Sequence, residues 1–360
     1  MKKNSALLIL TVFLFILLAS GCGANNSAQS EQQSTKQDAP VQENQEIKAL
    51  ALGTHGAGSL VNAMGSGIAT VLSKHLSTEI KVVATTGPTE WLPMLETKEM
   101  DLGVLNDWDA QMGRLGKSTY EQLSQGKGFP CMLLTVGTPT LCGVVVAGDS
   151  NIKTANDLKG KRFIVDYTGS PGITAQAEAA LANFGLTRND VKVLSMPSVN
   201  AGIQAITEGR ADAAGSGNIG MGVISELDAK RGARFLSFDP SPDAVKRLQE
   251  NYFAQVVEVQ PGPANIGVQE PTNLMSYNFY LAGRDDLPEQ MAYDIVKTLW
   301  DNNQELGDIH VKLKEWATDG FVNPLNTIPY HPGAVKFYKE KGVWTPEMEQ
   351  RQAQLLAEIQ

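Results

Sequence analysis

The chain has 360 residues, 42% hydrophobic and 19% charged, and its 39 Asp and Glu outnumber 30 Lys and Arg for a net charge of −9. That balance excludes a nucleic-acid partner, which needs a basic stripe to meet phosphate, and the apolar share excludes a wholly disordered chain. The four histidines, His55, His75, His310 and His331, share no metal-ligand spacing, so neither a metal site nor a cofactor is expected.

Lys2 and Lys3 precede an apolar run over residues 6–18 and then Ala19-Ser20-Gly21-Cys22. The run is too short to span a bilayer, which takes about 20 apolar residues, and reads as the core of a signal peptide over residues 1–22. Ala19-Ser20-Gly21-Cys22 resembles the lipobox of bacterial lipoproteins, with Ala19 where leucine is usual. The resemblance implies that Cys22 carries lipid and becomes the mature N-terminus. Residues 23–46 hold Asn, Gln, Ser, Glu and Ala with hardly any large apolar side chain. Such a composition cannot offset its ordering entropy and reads as a disordered tether. The expected location is therefore extracytoplasmic, with the lipid anchoring the chain to a membrane surface.

From residue 47 strand and helix alternate. An apolar run at 47–52 empties into Gly53-Thr54-His55-Gly56-Ala57-Gly58-Ser59, and Leu60, Met64, Ile68, Val71 and Leu72 follow at helical spacing over 60–76. A strand, a glycine turn and a helix N-terminus offer unpartnered N–H groups to a small anion or polar head. Similar corners recur. A β-rich run at 80–84 ends in Thr85-Thr86-Gly87-Pro88-Thr89-Glu90-Trp91 before a helix at 92–100, and a run at 102–105 ends in Asn106-Asp107-Trp108-Asp109. Residues 131–136 and 141–147 are extended segments joined by Gly137-Thr138-Pro139-Thr140. Paired as a hairpin they set Cys142 opposite residue 135, which argues against a Cys131–Cys142 disulfide. A strand at 161–165 then delivers Asp166-Tyr167-Thr168-Gly169-Ser170-Pro171-Gly172-Ile173-Thr174, followed by a helix at 175–184, a strand at 191–194 and a helix at 200–208. A last strand at 211–214 ends in Gly215-Ser216-Gly217-Asn218. Ligands of open α/β sheets bind outside the carboxyl ends of the strands, so two α/β lobes with matching corners predict a cleft.

At these corners the chain resembles the TAXI family of solute receptors, the extracytoplasmic binding proteins of TRAP transporters. The likeness rests on Gly53-Thr54-His55-Gly56-Ala57-Gly58, Thr86-Gly87, Asp101-Leu102-Gly103-Val104-Leu105-Asn106, Asp157-Leu158-Lys159-Gly160-Lys161, Gly169-Ser170-Pro171-Gly172 and Tyr330-His331-Pro332-Gly333-Ala334 before Tyr338, in that order and spacing. It implies a two-lobed periplasmic-binding-protein (Venus-flytrap) fold closing on a small organic solute, with a TRAP permease as membrane partner. By the same comparison lobe 1 is discontinuous, residues 47–143 and 258–360, and lobe 2 takes 144–257. Three departures bear on the ligand. Leu60, Val61 and Asn62 stand where tyrosine is common, Pro171-Gly172-Ile173-Thr174-Ala175 replaces Pro-Gly-Ser-Gly-Thr, and Trp91 stands where asparagine is frequent. The glutamate-like solutes of the family are therefore not carried over.

The residues expected to face solute are Thr54, His55, Gly58 and Ser59 from the first corner, Trp91 from the second, and Asn106, Asp107 and Trp108 from the third. Tyr167, Ser170, Ile173 and Thr174 come from the fourth and Ser216 and Asn218 from the fifth. Trp91, Trp108 and Tyr167 either wall the cleft or plug a lobe surface. Asn106 is a polar contact or an Asx turn, and Asp107 and Asp109 either meet an ammonium or cap the next helix. None of these corner loops contains Lys or Arg, so a carboxylate would be held by N–H groups, the hydroxyls of Thr54, Ser59 and Ser170, and His55. That set suffices for one carboxylate and predicts a monocarboxylate or zwitterion with an apolar part, such as an amino acid, ahead of a di- or tricarboxylate. Gly215-Ser216-Gly217-Asn218-Ile219-Gly220 is formally a G-x-G-x-x-G, but it lies deep in the chain and in an extracytoplasmic setting. With no Gly-x-Ser-x-Gly elbow either, the expectation is a monomeric binding protein and no enzyme. An ABC-type receptor of similar shape is the alternative, and from other classes a secreted α/β enzyme or an interaction lipoprotein.

Overall fold

Strand β1 (Ala49–His55) opens the body in the computed structural model, which describes residues 47–358. The signal segment 1–22, Cys22 and the tether 23–46 lie outside those residues. β1 runs through Gly53, Thr54 and His55, three residues beyond the expected strand end. Helix α1 (Leu60–His75) starts at Ser59, whose Oγ accepts from Asn62 N at 3.1 Å, and Leu60, Met64, Ile68, Val71 and Leu72 form its buried stripe. β2 (Glu79–Thr85), α2 (Pro88–Glu96), β3 (Leu102–Asn106), α3 (Asp107–Leu115) and the short α4 (Thr119–Ser124) complete this part of the first lobe. α2 begins four residues earlier than expected because Pro88 takes its first position, where a missing N–H costs nothing.

β4 (Cys131–Ala147) is one continuous strand of 17 residues. Residues 137–140 are thus not the turn expected of them. Thr140 and Pro139 stand in register with Tyr277 and Asn278 of a later strand, β10 (Thr272–Arg284), and that pairing keeps the segment extended. At ~3.3 Å per residue the strand carries Cys131 and Cys142 roughly 36 Å apart. Both thiols are free and buried, and burial pushes each up to about 12.

The second lobe follows as β5 (Arg162–Tyr167), α5 (Pro171–Asn183), β6 (Lys192–Met196), α6 (Val199–Thr207), β7 (Ala213–Asn218), α7 (Gly222–Arg231), β8 (Ala233–Phe235), α8 (Pro242–Gln249) and β9 (Gln255–Val259). β10 (Thr272–Arg284) leads back to α9 (Glu289–Asp301), α10 (Asn303–Ile309), α11 (Pro332–Glu340) and α12 (Pro346–Ala357). The sheet path is β2-β1-β3-β10-β4-β7-β5-β6, with β8 on β4 and β9 on β10. β1, β2 and β3 are mutually parallel, as are β5, β6 and β7, while β4 and β10 run antiparallel between the two sets. β10 pairs with β9 over Thr272 to Ser276 and with β3 from Phe279 onward; β4 pairs with β7 only from Cys142. Two long strands therefore belong to both lobes and place the carboxyl ends of β1, β3, β5 and β7 toward one another.

Two corners differ from expectation for one reason. Residues 215–218 continue β7 as strand, and their glycines serve packing: a Cβ at Gly215 would meet Ile164 O at 2.9 Å and one at Gly217 would meet Val145 Cγ2 at 2.6 Å. The formal G-x-G-x-x-G is therefore not a phosphate loop. Likewise Trp91 is fully buried, its ring lying where a Cβ of Gly53 would stand at 2.8 Å, and closer still to Gly103.

Candidate functional site

The strand ends enclose a cavity between the lobes. His55 and Ser59 reach it from β1 and the start of α1, Asn106 from β3, Ile173 and Val199 from the first turns of α5 and α6, and Asn218 and Met221 from the end of β7. Leu60, Val61 and, on the shared strand β10, Tyr277 and Phe279 complete the lining. The empty space is about 260 Å³, most of it in crevices too narrow for water, so this closed form holds about one water molecule. No charged side chain lines it.

The polar groups around this space are uneven in their satisfaction. Burial lowers the His55 pKa to about 4, so its ring is neutral, and its buried Nε2 has no hydrogen-bond partner among the described residues. The N–H groups of Leu60 and Val61 at the start of α1, and of Val199 at the start of α6, bond no protein group among the described residues. Asn218 Nδ2 instead donates to Tyr277 Oη at 2.6 Å, and Asn106 is spent on α3: its Oδ1 accepts from Asp109 N at 2.7 Å as the helix cap. The free donors point to an acceptor in the solute, and two helix N-termini favour negative charge there.

Two carboxylates lie just behind the wall. Asp107 Oδ1 accepts from Tyr252 Oη at 3.0 Å and Oδ2 from Asn278 N at 3.2 Å, and burial raises its pKa to about 7. Asp109 accepts from Asn106 Nδ2 at 2.6 Å, Tyr120 Oη at 2.9 Å, Gly172 N at 2.7 Å and the Ser170 hydroxyl. Burial pushes the Asp109 carboxyl up, and these bonds pull against it. The notion that Asp109 caps its own helix gives way to a different role, because Asn106 already does so and Asp109 meets the N-terminus of α5 in the other lobe.

The lobes are in contact at further points. Gly87 and Gly169 abut so closely that a Cβ at Gly87 would lie 2.7 Å from the Gly169 carbonyl carbon. Thr89 N and Oγ1 donate to Gly169 O at 3.2 and 3.0 Å, and Asn200 Nδ2 donates to Ala57 O at 2.6 Å. The described form is closed.

Of the residues expected to face solute, His55, Ser59, Asn106, Ile173 and Asn218 line the cavity. Trp108, Tyr167 and Thr174 line a separate groove of about 690 Å³ that is open to solvent. Thr54 lines neither: its hydroxyl joins Asn62 Nδ2 and His55 O. Gly58, with φ +82°, faces Val223 and Asn200 of the second lobe, and Ser216 donates to Gln176 Oε1 at 2.7 Å. Trp91, Asp107 and Ser170 are occupied as described. Tyr277 and Phe279 do not follow a parallel strand, where the corners were sought; the polar–aromatic alternation Ser276-Tyr277-Asn278-Phe279 is the sequence signal that marks them.

A sequence model of the NMT1-like family matches residues 52–342. Among solved structures, one described as a periplasmic transporter is 12% identical, covers 86% of this chain and 96% of its own, and superposes with a TM-score of 0.53. PhnD1 from Prochlorococcus marinus in complex with methylphosphonate is 13% identical over 82% of this chain and 99% of its own, TM-score 0.50. The ligand-binding component of an ABC-type import system from Staphylococcus aureus, with zinc bound, is 12% identical over 84% and 95%, TM-score 0.50. At these identities the likeness is one of fold, and the fold is the mixed α/β, two-lobed fold of periplasmic solute-binding proteins.

Proposed function

The chain belongs to the NMT1-like family, and from that premise we propose that it is an extracytoplasmic solute-binding protein that captures a small organic acid between its lobes and hands it to a membrane transporter. The observation that carries this reading is the interlobe cavity whose free polar groups, His55 Nε2 and the first N–H groups of α1 and α6, have no partner among the described residues. Binding rather than catalysis fits a lining that presents no nucleophile paired with a base.

The cavity also narrows the solute. Glu90, Asp107 and Asp109, the acids suited to an ammonium, are absent from its lining, and Glu90 is spent on Thr86 N at 2.9 Å. A monocarboxylate with a short apolar body, set against Leu60, Val61, Ile173 and Phe279, is favoured over an amino acid, and both over di- and tricarboxylates. The closed form holds about one water, so a larger solute is bound with the lobes further apart than here. Thermal-shift screening of these four classes, confirmed by calorimetry, is the test. Tight binding of citrate with monocarboxylates inert would overturn the assignment.

The motif series at the corners supports a TAXI-type receptor serving a TRAP permease, with lobe 1 at 47–143 and 258–360, lobe 2 at 144–257, and a lipid on Cys22 holding the protein at the membrane. A second reading, delivery to an ABC importer, draws on the ABC-type component among the structures of like fold. Uptake driven by an ion gradient without ATP distinguishes the first from the second. For the anchor, Cys22→Ser is expected to move the protein from the membrane to the soluble fraction.

A further inference from the structure

The N-terminus of α5, with Ser170 and the Gly172 N–H, is the anion corner of the second lobe, and it is already filled. The occupant is the Asp109 carboxylate of the first lobe, fully buried, which accepts from the Ser170 hydroxyl and from the Gly172 N–H at 2.7 Å. Its other two donors, Asn106 Nδ2 and Tyr120 Oη, come from its own lobe. Four donors around two oxygens match the acceptor capacity of an ionised carboxylate. The approach is so close that a Cβ on Gly172 would stand 2.7 Å from Asn106 Oδ1 and 2.8 Å from Asp109 Oδ2, which explains a glycine in the first turn of α5. Asn106 and Ile173, on either side of this junction, both line the solute cavity.

We propose that Asp109 is a built-in anionic ligand: it occupies the anion corner of the second lobe, draws the lobes together without solute, and takes that corner away from the solute. Here the bond between lobes is intramolecular, so closure does not wait for solute, and a second carboxylate of a solute finds the α5 corner taken. What remains for the solute are the donors of α1, α6 and His55.

The inference concerns closure and is tested without any solute, so its outcome is separate from that of the solute assignment. The full chain is freed of co-purified small molecules by unfolding and refolding, with native mass spectrometry to verify emptiness, and its radius of gyration is measured by small-angle scattering. The wild-type protein is expected to match the closed structure. Asp109→Ala is expected to be expanded, with its closed population reduced at least about tenfold. Sodium formate, but not sodium chloride at equal ionic strength, should then contract it toward the wild-type radius by filling the vacated corner. Ser170→Ala, which removes one donor from the other lobe, should expand the protein less and gain nothing from formate. Should Asp109→Ala fail to fold, Asp109→Asn replaces it: the amide keeps the shape but sets its N–H₂ against the donors, and expansion is again expected. An open wild-type protein, or variants that stay as compact as wild type, would overturn the proposal.

Discussion

Gly87→Ala is the sharpest test of whether the closed geometry is the one populated in solution. Gly87 has φ +155°, and the added Cβ would stand 2.7 Å from the Gly169 carbonyl carbon across the interlobe junction. An unstrained contact is ~3.5–4.0 Å, so the two lobes must part by about 1 Å at this point. Thr89, whose N and Oγ1 bond Gly169 O at 3.2 and 3.0 Å, then loses both of these bonds at once. Forced backbone displacement of this kind costs about 1–3 kcal/mol, a factor of about 5 to 150 in the ratio of closed to open molecules. The unfavourable φ for alanine adds a cost to both forms and does not affect that ratio. Gly185→Ala supplies the control, since Gly185 also has positive φ (+68°) but a Cβ there meets nothing within 4 Å. Small-angle scattering should show Gly87→Ala expanded and Gly185→Ala not, with both melting lower than wild type. If both variants keep the wild-type radius, the junction at Gly87 and Gly169 is not part of the solution structure and the cavity argument fails with it.

Other outcomes follow from the same groups. In the folded chain Asp107 holds its proton up to about pH 7 while the unfolded chain releases it near 3.8, so Asp107 makes stability fall as pH rises through that window, by about 1.4 kcal/mol per unit. His55, with a folded pKa of about 4 against 6.5, makes stability rise between pH 4 and 6.5, and there the two slopes nearly cancel. Melting temperatures of Asp107→Asn should therefore climb with pH from 4 to 6.5 relative to wild type, and those of His55→Gln should fall; curves parallel to wild type would refute the assigned burial. His55→Ala should weaken a monocarboxylate found by the screen by about tenfold, as loss of one buried hydrogen bond does, whereas unchanged affinity by calorimetry would take His55 out of the site. Cys131 and Cys142 should both resist iodoacetamide in the native protein and both become alkylated after unfolding without reductant, as mapped by mass spectrometry; recovery of a 131–142 disulfide would contradict the extended course of β4.

Strand ends were legible in the sequence because each corner combines a β-rich run, a glycine or proline and a capping residue within ten positions, and His55, Ser59, Asn106, Ile173 and Asn218 were found that way. What a glycine is for was not legible. Gly58 supplies positive φ in a turn, but Gly53 and Gly103 make room for Trp91, and Gly215 and Gly217 let β7 pack under its neighbours. A missing side chain looks the same in all of these, and only the partner, distant in sequence, tells them apart. The pairing of Pro139 and Thr140 with β10, more than 130 positions away, likewise turned an apparent hairpin into a through-going strand.

Asp109 shows the limit most clearly, and also what lies beyond it. An acid two places into a helix reads locally as a dipole partner for that helix. Its function is set by Ser170 and Gly172, 61 and 63 residues later, whose N–H and hydroxyl were themselves read as donors waiting for a solute. Each half of the junction was thus recognised as half of an ion site, and the sequence offered no means of matching them. The match matters for specificity: counting donors at the corners predicted one carboxylate because arginine and lysine are missing, and that count included the Ser170 corner, which Asp109 fills. Restoring that corner, by vacating position 109, should then widen the range of anions the protein accepts, so that calorimetry on Asp109→Ala detects a dicarboxylate that wild type ignores; equal rejection by both proteins would mean that the cavity walls, and not the filled corner, set the limit.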